Sequence, residues 1–150
     1  MTRSSPLAAL RRDRTVQAVL AVTVLALVAR LVWLGARVAH QDEARVGYWT
    51  LRFALSGRWE YRPIVHGPFV PILNRHVFGL IGASDLTARL VIAVVGGAAP
   101  AVALLYRGRL RDSETVALSL LLAANPVLLY YSRFMRQDVP LAVLDRKSVV

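Results

Sequence analysis

Asp42 and Glu43 stand side by side just after the first long apolar run. A carboxylate in such a place can take the proton of a hydroxyl as it attacks an electrophilic carbon, which is general-base chemistry. Neighbouring residues on a helix point about 100° apart, so only one of the two aims at a site while the other orients it or pairs with an arginine. The plainer reading is that both acids complement the dipole at the start of a following helix. Arg133, Arg136 and Asp138 form a second charged group before the last apolar stretch. The planar fork of an arginine bonds two oxygens of a phosphate, and an acid beside it orders the arginine or binds a divalent cation. In the plainer alternative Arg133 and Arg136 are boundary anchors and Asp138 caps a helix. His66-Gly67-Pro68 reads locally as a turn with a solvated histidine, and His76 as an interfacial side chain.

These residues sit in an unusually apolar chain. Of 150 residues 56% are hydrophobic and only 19% are charged; mean hydropathy is +0.48. A soluble domain carries roughly a quarter of its residues charged, and a disordered chain far fewer apolar ones. With no cysteine, a disulfide scaffold, a cysteine-ligated zinc and a thiol nucleophile are excluded. The net charge of +10 rests on arginine; the single lysine is Lys147. The basic residues punctuate apolar runs instead of covering one face, so they read as an orientation signal and no nucleic-acid partner is expected. The expected partner is the lipid bilayer. Nothing in the pattern speaks to oligomeric state.

The expected fold class is all-α, polytopic, with three transmembrane helices, the start of a fourth, and interfacial amphipathic helices in a long first outer loop. A bilayer core needs about 20 helical residues, which puts the first span at about 15–38, with Arg30 near its boundary where its stem can snorkel. The run is too long for the core of a cleaved signal peptide. The second span covers about 86–106, entered through Asp85 as N-cap and carrying Gly96, Gly97 and Pro100. The third covers about 114–131 with a break at Asn125-Pro126, and a fourth starts at about 139. Within the outer loop, about 40–85, Ala44, Tyr48, Leu51 and Leu55 make a helical stripe that ends at Gly57. Phe69 to Ile81 is a second amphipathic piece, too short and too polar to span. Arg3, Arg11, Arg12, Arg14 and the Arg107-Arg109-Arg111 turn place the N-terminus in the cytoplasm. Loop 40–85 and segment 132–138 then lie outside.

Taken in order, four stretches resemble the N-terminal portion of GT-C glycosyltransferases, among them protein O-mannosyltransferases and aminoarabinose transferases. They are His40-Gln41-Asp42-Glu43-Ala44-Arg45, His66-Gly67-Pro68-Phe69, Ser84-Asp85-Leu86-Thr87-Ala88-Arg89-Leu90, and Tyr131-Ser132-Arg133-Phe134-Met135-Arg136-Gln137-Asp138. The likeness is greatest to an archaeal and bacterial branch described as flippase-activity-associated membrane proteins, and it covers roughly residues 15–144. The resemblance implies a polytopic enzyme that takes a sugar from a polyprenyl-phosphate donor on the outer leaflet and passes it to an acceptor hydroxyl. It implies that Asp42 is the general base or a metal ligand, that Glu43 and Arg136 are structural or phosphate partners, and that Asp138 is the second-loop acid. Arg136, with Arg45 or Arg52, would stabilise the departing phosphate, and Arg133 belongs to the same donor-phosphate or second-loop group. His40, His66 and Pro68 match the first-loop motif, with glycine at position 67 where O-mannosyltransferases have proline. A divalent cation on Asp42 and Asp138 is the one cofactor implied.

Asp145-Arg146-Lys147-Ser148-Val149-Val150 puts charge into a fourth span that has barely begun. The same six residues result from translating the start of a common sequencing adapter, so 145–150 is expected to be read-through after a truncated gene and to stand outside the fold. A fragment of this kind is expected to be inactive alone. The alternative to a transferase is a non-catalytic membrane component of lipid-linked sugar flipping or glycan assembly. A transporter would place its polar residues at mid-membrane on broken helices, whereas the acids here cluster at the outer surface.

Overall fold

The computed structural model describes residues 13–61 and 67–144. His66, the arginines before Asp13 and the tail 145–150 lie outside the described residues. Among those described the chain is all-α, with seven α-helices. They are α1 (Arg14–Leu31), α2 (Gln41–Ser56), α3 (Phe69–Ile81), α4 (Asp85–Ala98), α5 (Asp112–Ala124), α6 (Pro126–Tyr131) and α7 (Asp138–Leu144). A 3-10 segment, Ala99–Tyr106, continues α4. Two stretches, Arg14–Leu31 and Asp85–Tyr106, are long and apolar enough to cross a membrane by length and composition.

Helix α1 starts on Asp13, whose carboxylate accepts from the Thr15 and Val16 amides. It stops at Leu31, seven residues before the expected end of the first span. Val32 leaves helical geometry and Trp33 takes a positive φ of 52°. The last carbonyls of the helix are then satisfied from outside it: Arg133 donates to Ala29, Val32 and Trp33, at 3.2, 2.8 and 3.2 Å. Arg30 also departs from expectation. Instead of snorkelling it is fully buried, donating from Nε to Ser132 Oγ at 3.0 Å and from Nη1 to the Ala26 carbonyl at 3.0 Å. Protein polar groups reach it before water does, so the stem turns inward.

The α4 cap lies one residue earlier than expected. Ser84, not Asp85, is the N-cap, and it forms a reciprocal capping box with Thr87. Of the described glycines, Gly96 and Gly97 have the least room for a side chain. A Cβ at Gly97 would sit 2.6 Å from Leu27 Cδ1 and 2.9 Å from Leu27 Cα, and one at Gly96 would collide with Ser132. Small residues of this kind let helix backbones approach. Pro100 lacks an N–H, and the chain tightens from α to 3-10 geometry beside it. The expected third span is two helices: Asn125 leaves helical geometry, and its Oδ1 accepts from the Leu128 amide at 2.9 Å to restart the chain with Pro126 at N1.

At one end of the helices Arg107 ties the start of α1 to the start of α5, meeting Asp13 at 2.6 Å and Asp112 at 3.4 Å. This pairing, first of all the bond from Arg107, holds the Asp13 carboxyl below its ordinary range. At the opposite end α2 and α3 pack against one another and α3 against α4. A small apolar core of Val70, Ile92, Met135 and Val139 joins α3, α4, α7 and segment 132–137 there. The two amphipathic helices of the loop form where the apolar spacing placed them, and α2 ends at Gly57 in left-handed geometry, φ 70°.

Candidate functional site

Asp42, Glu43, His40, Arg136 and Asp138 come together where the link after α1 meets α4 and the starts of α2 and α7. Glu43 is the node. It is buried at the start of α2 and accepts two bonds from Arg89 of α4, Nε to Oε1 at 2.9 Å and Nη2 to Oε2 at 3.1 Å. It also accepts from the His40 amide at 3.0 Å, from the Met135 amide at 3.0 Å and from Arg37 Nη2 at 2.9 Å. The remaining Arg89 donor, Nη1, reaches the carbonyls of Leu34 and Arg37 at 3.0 and 2.8 Å.

One carboxylate thus fixes four pieces of chain: the link after α1, the first turn of α2, the first turns of α4 and segment 132–137. Burial alone raises the Glu43 carboxyl, but the Arg89 bond, the two amide bonds and the Arg89 charge outweigh it and hold it below the ordinary range. Fully bonded, ionised and 3% exposed, Glu43 is placed to hold the site together rather than to exchange protons.

Asp42 points elsewhere, as adjacent helical positions require. It is half exposed, 51%, with Arg136 Nη1 at 3.8 Å and His40 Nδ1 at 3.9 Å. Arg136 in turn holds Asp138 through Nε at 2.9 Å. The acids of two separate segments, 96 positions apart, therefore meet on one guanidinium. That position follows from the residue before it, because the Met135 side chain is buried in the apolar core and its amide is bound by Glu43.

His40 is the N-cap of α2: its Nδ1 accepts from the Asp42 amide at 3.3 Å, and its ring lies edge-on to Phe134. Arg45 is exposed on α2, and Arg52 lies 5.6 Å above the Trp49 ring. Neither bonds to the acids. Arg133 is spent on the last carbonyls of α1. Pro68 is the N-cap residue of α3 and makes no side-chain cap bond; a Cβ at its neighbour Gly67 would lie 3.2 Å from Gln137 Oε1.

The donor set fits a divalent cation poorly. Among the described residues no three His, Asp or Glu side chains converge as metal ligands, and the space between Asp42 and Asp138 holds the Arg136 guanidinium.

Arg89 and Arg37 were invisible as site residues to the spacing argument. The signal for Arg89 was its place in the first turns of an apolar helix, where a charge that is not at the boundary must have a partner. Comparison with family models, with curated proteins and with solved structures gives no match.

Proposed function

We propose that this chain is the N-terminal part of a polytopic membrane glycosyltransferase that moves a sugar from a polyprenyl-phosphate donor to an acceptor hydroxyl at the outer membrane face. One observation carries the reading: Asp42 and Asp138, from two separate outer segments, converge on Arg136 while a buried Glu43–Arg89 pair fixes both segments. The membrane setting is supported by outward-facing Val24, Leu25, Leu105, Leu120 and Leu121, each at least half exposed. Such surface is costly in water and at home in lipid.

In the proposed reaction the acceptor oxygen attacks C1 of the sugar from the face opposite the phosphate. Its O–H proton passes to the Asp42 carboxylate, the C1–O bond to phosphate breaks, and the bonding pair leaves with polyprenyl phosphate, inverting C1. Guanidinium groups at this end of the helices offset the charge that develops on the leaving oxygen. Asp42 suits the base and Glu43 does not, because only Asp42 has a carboxylate open to a ligand. The test is transfer of labelled sugar from a polyprenyl-phosphate donor by the full-length protein in vesicles. Product with an inverted anomeric centre is expected, and a protein that binds donor without any transfer would favour a non-catalytic role in lipid-linked sugar handling.

A further inference from the structure

The charges at this end of the molecule are not evenly matched, and the mismatch identifies a side chain so far without a role. Arg136 faces two carboxylates, Asp42 and Asp138, so that group carries one negative charge in excess. Glu43 faces two guanidiniums, Arg89 and Arg37, so that group carries one positive charge in excess. Arg89 is buried at 2% exposure and all three of its bonding nitrogens are engaged within the protein. The excess charge therefore resides on Arg37, whose side chain is 43% exposed and bonds to Glu43 through Nη2.

Arg37 is also held in place. Its guanidinium carbon lies 3.7 Å from the centre of the buried Phe134 ring, and its carbonyl accepts from Arg89 Nη1. An arginine stacked on an aromatic and tethered at one nitrogen has lost much of its rotamer freedom before a ligand arrives. The same Phe134 ring touches His40, which neighbours Asp42. The positive seat and the exposed carboxylate are thus joined through two ring contacts.

Resting on the function proposed above, we infer that Arg37 is the seat for the phosphate of a lipid-linked ligand. Arg136 keeps the two acids apart and is not the main phosphate contact. A planar guanidinium with a free edge, beside a carboxylate already neutralised by another arginine, fits a phosphate oxygen pair. Arg136 lies between two carboxylates, and these repel the same group from two sides. Arg37 acts here as a binding and specificity residue.

Titration of the full-length protein in phosphatidylcholine nanodiscs with a polyprenyl monophosphate tests this, with inorganic phosphate as a second probe. Arg37→Gln is expected to raise the Kd for polyprenyl monophosphate about tenfold and to flatten its dependence on salt. Arg37→Lys recovers part of the loss, Arg109→Gln, in the exposed turn at the opposite end of the helices, leaves the Kd unchanged, and inorganic phosphate competes only in large excess. A Kd for Arg37→Gln within twofold of wild type overturns the seat while leaving the transferase reading standing. Inorganic phosphate binding as tightly as the lipid overturns the lipid as its source. Wild-type protein that neither binds the lipid nor transfers sugar removes the transferase reading, and the seat with it.

Discussion

Glu43 and Arg89 meet through two parallel hydrogen bonds, 2.9 and 3.1 Å long, with both side chains almost wholly excluded from solvent. The pair costs desolvation on both sides, so it is weak evidence for net stability but strong evidence that losing one partner is harmful. Replacing Glu43 with Gln leaves Arg89 and Arg37 facing a neutral amide. A loss of about 3–5 kcal/mol is expected, read as a lower thermal midpoint in detergent. Arg89→Lys keeps the charge but not the fork, and is expected to fall between wild type and Glu43→Gln.

The same pair sets an acid limit. The folded Glu43 carboxyl titrates below its ordinary 4.5, so it contributes stability that is complete above that value and is lost as pH falls through the folded value. The thermal midpoint is expected to be insensitive to Glu43 ionisation above about pH 5 and to drop below it. In Glu43→Gln that part of the acid slope disappears.

Gly97 and Gly79 predict opposite outcomes for the same substitution. A Cβ at Gly97 meets the Leu27 backbone at 2.9 Å, so Gly97→Ala forces α1 and α4 apart and costs about 1–3 kcal/mol. A Cβ at Gly79, in α3, meets nothing within 4 Å. Gly79→Ala is expected to be neutral or to stabilise by up to about 1 kcal/mol, through helix propensity. Thermal unfolding of the two variants side by side checks both.

Arg133 closes the end of α1 with bonds to three carbonyls from about a hundred residues away. Arg133→Ala removes them together, at a cost of about 1.5–3 kcal/mol. Hydrogen exchange is expected to rise at the end of α1 and at Met135 and Arg136, because that segment loses one of its ties. Exchange that changes only around residue 133 would show that the two segments are not coupled.

Much of this arrangement is legible in the residue order. The stripe Ala44, Tyr48, Leu51, Leu55 and the stop at Gly57 describe α2, and the piece Phe69–Ile81 matches α3 from end to end. Periodicity and turn residues are local, and local signals suffice there. The end of α1 was not legible, because it depends on Arg133 reaching back to residues 29–33 and on Arg30 finding Ser132. A window centred on Arg30 sees only a charge in an apolar run and extends the span past it. The division of labour between Asp42 and Glu43 needed Arg89, 46 positions further on. No spacing rule couples those two residues; the packing of α3 against both α2 and α4 does.

The most direct measurement of the central claim is sugar transfer by the full-length protein carrying Asp42→Asn, compared with wild type under saturating polyprenyl-phosphate donor. Loss of the base predicts a fall in kcat of about a hundredfold or more with donor binding and thermal stability retained. Undiminished transfer by Asp42→Asn would contradict the assignment of Asp42 as the base.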